Sequence, residues 1–126
     1  VHEPAAHLHR PQRRRLMRYS LLVCAAPGQS AAQTALRTAR AVIHAGHTLH
    51  RIFFFRDAVH LAAPDSPGHG QWAQLILEHQ VDALVCVTAA ERRALTQATI
   101  TPPWQVGGLG QWADALHHSD RVLEFG

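Results

Sequence analysis

Short apolar runs of strand length, each followed by a segment of helical period, most constrain what this chain can fold into. Residues 19–24, 50–55 and 83–87 are three such runs. The third lacks any polar alternation, as a strand covered on both faces requires. Between the first two, Ala32, Ala35, Leu36, Ala39, Val42 and Ile43 recur at helical spacing and predict one apolar face against a sheet. Ser30 with Gln33 three residues on reads as a capping box, and Gly46 as the terminator. Trp72, Leu75 and Ile76 mark a second helix through about Gln80, and the Pro- and Gly-rich stretch 63–70 before it reads as a loop. Residues 104–106 and 121–125 are the remaining strand candidates, with Trp112, Ala115 and Leu116 as a helix face between them. Strands alternating with helices imply parallel pairing and right-handed crossovers. The predicted fold is a single three-layer α/β domain with a mostly parallel five-stranded sheet, flavodoxin-like in class. Phe53, Phe54 and Phe55 cannot share one face of a strand, so the core is expected on both sides of the sheet.

A length of 126 residues at 47% apolar fits one core and leaves little room for a second domain. The formal charge of +3 is uneven. Arg10, Arg13, Arg14 and Arg15, against Glu3 alone, precede Met17, which leaves a neutral remainder and argues against nucleic-acid binding by the body of the chain. Residues 1–16, with Pro4, Pro11 and no apolar periodicity, are expected to be a disordered basic extension; Met17 is a candidate native start, and 17–126 the folded domain. No apolar run approaches the ~20 residues of a membrane span. The apolar stretch after the basic residues is short, and Val23 is bulky before Cys24 for a lipoprotein signal, so the expected location is the cytoplasm. Two cysteines make no disulfide framework, and a reduced pair is the simpler reading.

The chemistry is expected at residues 82–93, where a buried strand ends on Cys86 and turns at once into a helix carrying Glu91, Arg92 and Arg93. A sulfur at such a junction lies beside unpaired helix-start amides, which favour an anion there. Arg92 and Arg93 add positive charge if they fold back. On local spacing alone, a small hydrophobe packed in the core is the favoured reading of Cys86. Cys24 also falls at a strand end. In a flavodoxin-like strand order the first and third strands are neighbours, so the two sulfurs would share one edge and pair or relay.

Other constellations carry less. His44, His47 and His50 are spaced by three, but Gly46 interrupts them and no second ligand cluster follows, so no metal is expected. His117 and His118 suit a helix end. Gly107-Gly108-Leu109-Gly110 lacks the Lys-Ser/Thr of a phosphate loop and reads as a tight turn, so no cofactor is expected.

Three segments in order resemble the DsrE-like sulfurtransferases, TusD-type subunits foremost. They are Phe53-Phe54-Phe55-Arg56-Asp57-Ala58-Val59, then Cys86-Val87-Thr88-Ala89-Ala90-Glu91-Arg92-Arg93, then Gly108-Leu109-Gly110 with Asp120-Arg121-Val122. The resemblance covers about Met17 to Gly126 and implies a persulfide carrier. It implies that Cys86 accepts sulfur from an upstream persulfide donor and passes it to a TusE- or DsrC-like acceptor. It also implies assembly with TusB-like and TusC-like subunits as a heterohexamer. The product would be 2-thiolated wobble uridine, with tRNA contacted indirectly; a relay in dissimilatory sulfur oxidation or a non-catalytic scaffold subunit are the alternatives. Ala94 departs from the resemblance, standing where relatives often have Gly. The segments between Val59 and Trp72 and between Leu95 and Trp104 are short for the family, and Cys24 matches no catalytic position; it is an accessory thiol or a structural residue.

Overall fold

The structure is a computed structural model that describes residues 15–126. The expected disordered extension therefore lies almost wholly outside the described residues. Five strands follow in chain order: β1 (Arg18–Val23), β2 (Thr48–Phe54), β3 (Asp82–Cys86), β4 (Gln105–Gly107) and β5 (Arg121–Phe125). All four strand pairings are parallel, and the order across the sheet is β4-β3-β2-β1-β5. Helix α1 (Ser30–His44) joins β1 to β2; a 3-10 helix (Arg56–Ala62) and α2 (His69–His79) join β2 to β3. Helix α3 (Val87–Arg92) leads towards β4 and α4 (Leu109–His117) towards β5.

The sheet is buried on both faces, and the aromatic residues show how. Phe54 packs edge-on against Trp72 of α2 and against Trp104, with ring centroids 5.2 and 5.8 Å away. Its neighbour Phe53 points the other way and stacks on Trp112 of α4 at 5.9 Å. Successive residues of a strand face opposite layers, so two adjacent phenylalanines seat two different helices. Helix α1 lies beside α2, sharing a groove with it through Arg40, Ala41, Leu75 and His79. Arg51, on the Phe53 face, clamps α4 to the sheet. Its Nε and Nη2 donate to Asp82 at 2.8 and 2.7 Å, and its Nη1 donates to the Gln111 carbonyl at 2.7 Å.

Helix ends follow a shared device. At α1, the Gly46 amide donates to the Ile43 carbonyl and the His47 amide to Val42, with Gly46 at φ +88°. This paired closure needs a left-handed residue just past the helix. The same pattern closes α2 at Gln80 and α3 at Ala94, at φ +51° and +59°, without glycine. Helix α3 accordingly stops at Arg92 and does not run on to Leu95. The capping box expected at Ser30 does not form: Gln29 is the extended residue before α1, Ser30 is its first turn, and the Gln29 side chain accepts the Ala26 amide instead. Leu116 is 48% exposed, so Ala115 and Trp112 alone carry the inner face of α4. No helix among the described residues is long and apolar enough to cross a membrane.

Candidate functional site

Cys86 is the last residue of β3 and directly precedes α3. The flanking Leu84 and Val85 are core residues, so the sulfur is drawn into the domain and is 2% exposed. It reaches solvent through a cavity of about 510 Å³. Phe55 and Arg56, where β2 runs into the 3-10 helix, form one wall. Thr88, Ala89 and Arg92 of α3, with Arg93, form the second, and Leu109 at the start of α4 forms the lip. Cys86 and both arginines singled out in the sequence thus meet at one site.

The two arginines differ in what holds them. Arg93 Nε donates to Asp57 Oδ1 at 2.8 Å and its Nη1 to the Ala89 carbonyl at 3.1 Å, which ties the end of α3 to the 3-10 helix and sets a carboxylate against its charge. Arg92 is exposed in the last turn of α3. Arg56, which sequence reasoning left without a role, is the third cation. Its position just past the predicted strand 50–55, near the carboxyl edge of the sheet, was the available signal.

Cys24 follows β1, and its amide donates to the Phe125 carbonyl at 2.8 Å. Burial pushes its thiol above the ordinary range, Glu124 adds to the rise, and Arg56 opposes it. It does not line the Cys86 cavity. The strand order overturns the expectation that β1 and β3 are neighbours, because β2 lies between them. The register pairs Val23 with Phe54 and Phe54 with Val85, so Cys24, Phe55 and Cys86 stand level across three strands. Strands spaced ~4.8 Å apart put two such residues ~9–10 Å apart at Cα, beyond the ~7 Å reach of a disulfide. The sulfurs share an edge but cannot pair directly in this arrangement.

The remaining candidates fall into structural places. His47 Nδ1 accepts the Met17 amide at 3.0 Å, His50 Nδ1 accepts from Arg18 at 2.7 Å, and His44 is exposed at the end of α1. No group of three or more His, Cys, Asp or Glu side chains placed to hold a metal occurs among the described residues. Gly107 ends β4, where a Cβ would come within 2.5 Å of Gln111 Oε1 and 3.1 Å of Leu84. That Gln111 oxygen accepts the Gly108 amide at 2.9 Å, so the glycines form a tight strand-to-helix turn.

Comparison with known proteins agrees with this geometry. A sulfurtransferase TusD homolog of Pseudomonas aeruginosa is 32% identical over 87% of this chain and 98% of its own length. A putative sulfurtransferase DsrE of Allochromatium vinosum is 30% identical over 87% of this chain and 99% of its own. Among solved structures, the ychN protein of E. coli superposes with a TM-score of 0.77 at 21% identity, covering 87% of this chain and all of that one. The family model described as DsrE/DsrF-like matches residues 17–125. With a matching sheet and a matching family model across the whole described domain, the chain belongs to the DsrE/DsrF-like family.

Proposed function

We propose that this protein is a sulfur carrier that accepts a persulfide on Cys86 and passes it to a partner thiol, serving the 2-thiolation of tRNA wobble uridine. The observation that carries the reading is that Cys86, and not Cys24, opens on the cation-walled cavity at the carboxyl edge of the sheet. Cys86 thiolate attacks the outer sulfur of a donor persulfide. The donor S–S bond breaks, the donor leaves as thiolate, and Cys86 holds the terminal sulfur as a persulfide anion. An acceptor thiolate then attacks that sulfur, and Cys86 leaves as thiolate. Electrons balance at both steps without a cofactor. Arg92 and Arg93 flank the anion, and Cys24 is an accessory thiol outside the cavity.

The names of the relatives support sulfur transfer, and TusD naming supports a relay with TusB-like and TusC-like subunits and a TusE- or DsrC-like acceptor. Nearly equal identity to the DsrE-named relative favours one second reading, a relay in sulfur oxidation. The test is intact-mass spectrometry of wild type, Cys86→Ser and Cys24→Ser after incubation with a cysteine-desulfurase sulfur source and its carrier. Gain of sulfur lost only in Cys86→Ser is the expected result. No gain in wild type, with the donor active and the partner subunits present, leaves a scaffold role. Restoration of tRNA thiolation in a deletion strain then separates the two pathways.

A further inference from the structure

Three residues among those described and lacking glycine's freedom adopt positive φ: Arg56, Gln80 and Ala94. Gln80 and Ala94 are accounted for by the helix closures they complete. Arg56, at φ +51°, closes no helix; it opens the 3-10 helix directly after β2. A left-handed arginine is disfavoured, and such residues persist where surrounding structure holds them for another reason. The result of this turn is visible in what the side chain does. Its guanidinium carbon lies 5.7 Å from the centre of the Phe55 ring, within cation–π range, and the residue forms the cavity wall facing Cys86.

The other two cations of the cavity are held differently. Arg93 is committed to Asp57 and the Ala89 carbonyl. Arg92, exposed in the last turn of α3, lacks the ring contact that holds Arg56. Arg56 has no carboxylate partner among the described residues, and β2, lying between β1 and β3, places it one residue beyond the level that Cys24, Phe55 and Cys86 share. Arg56 also opposes the rise of the Cys24 thiol, so its charge is felt on the β1 side of β2.

We propose that Arg56 is the specificity-determining residue of the Cys86 cavity, holding the negative charge of an incoming sulfur group beside Cys86 and favouring anionic over neutral reaction partners. The inference deepens the carrier reading and rests on it for the identity of the anion, the terminal sulfur of a persulfide. A cation walling a partly hydrated cavity favours an anionic reagent about three- to tenfold at low ionic strength, and salt weakens the preference.

The test needs no relay partner. Second-order alkylation rates at Cys86 are measured by peptide mass spectrometry with iodoacetate, an anion, and iodoacetamide, its neutral analogue, for wild type, Arg56→Gln, Arg56→Lys and Arg92→Gln. The expected result is a three- to tenfold fall in the iodoacetate-to-iodoacetamide ratio in Arg56→Gln, with the ratio retained in Arg56→Lys and a smaller fall in Arg92→Gln. An unchanged ratio in Arg56→Gln overturns the assignment, whether the two rates stay constant or fall together, because a merely structural role moves both. A fall confined to Arg92→Gln also overturns it. Failure of Cys86 to load sulfur with the ratio behaving as expected would sink the carrier reading while leaving the anion preference standing.

Discussion

Replacing Ala94 by glycine should stabilise this protein, against the usual direction of an alanine-to-glycine change. Ala94 occupies the left-handed position of a paired helix closure: its amide donates to the Glu91 carbonyl at 3.1 Å, the Leu95 amide to Ala90 at 2.9 Å, and its φ is +59°. An L-residue in that region costs about 1–2 kcal/mol through its Cβ. Glycine removes that cost but gives the unfolded chain more freedom, worth about 0.4–1 kcal/mol. The net gain is about 0.5–1 kcal/mol. The internal reference is α1, whose identical closure already has Gly46. The control is Ala41→Gly, at an exposed site within α1, where the same substitution should cost up to about 1 kcal/mol. The two variants should therefore differ by about 1–2 kcal/mol with opposite signs relative to wild type. Equilibrium urea unfolding followed by far-UV circular dichroism resolves this, and Ala94→Gly should raise Tm by roughly 2–6 °C for a domain of this size. Loss of stability in Ala94→Gly comparable to that in Ala41→Gly would refute the reasoning. Gln80→Gly, at the equivalent place after α2, should gain a similar amount, and the two gains should add because the sites share no partner.

Three further outcomes follow from the packing and the titrations. Phe54→Leu should cost about 1–3 kcal/mol and Phe54→Ala about 3–5 kcal/mol, since the ring is fully buried between two tryptophans, and denaturant midpoints of the pair check the order. Burial, helped by the nearby Arg18, Arg51 and His118 charges and opposed by Asp82, holds His50 below its ordinary 6.5. The unfolded chain then takes up the proton first, so this stability is complete above 6.5 and is lost as pH falls through the folded value; His50→Gln should show a smaller loss between pH ~7.5 and ~5 by urea unfolding, and an undiminished loss counts against the assignment. Cys24, its thiol raised above the ordinary 9.0, should resist alkylation in the native protein at neutral pH and react once unfolded in urea, with rapid native labelling at Cys24 contradicting that rise.

The strands were readable because each carries its burial in its composition: the uninterrupted run before Cys86 and the adjacent Phe53 and Phe54 admit only a two-faced strand. Their places in the sheet were not. A flavodoxin-like order and the observed one satisfy the same alternation of strands and helices, and nothing local in residues 18–23 says whether β2 or β3 lies beside them. Cys86, Arg92 and Arg93 were legible because one strand-to-helix junction carries all three. Arg56 was not, because its role depends on β2 lying next to β3. Gly46 marks its closure in the sequence, whereas Ala94 looks like a helix former and conceals one.

By strand order alone the crevice would not lie at β3. Strands β1 to β4 step across the sheet in one direction, and β5 returns to the far side of β1. The reversal that opens a crevice in such sheets therefore falls between β1 and β5, beside Cys24. That crevice is filled: the Cys24 amide bonds to Phe125, and a Cβ on Gly126 would come within 2.7 Å of the Ala25 nitrogen. At β3 the opposite holds. Helix α3 ends after six residues, α4 contributes only Leu109 at the rim, and the space between them and the start of the 3-10 helix stays open above Cys86. A full-length helix after β3 would extend the wall that Ala94 now cuts short. Short helix, left-handed closure and open cavity are thus one arrangement at the end of β3.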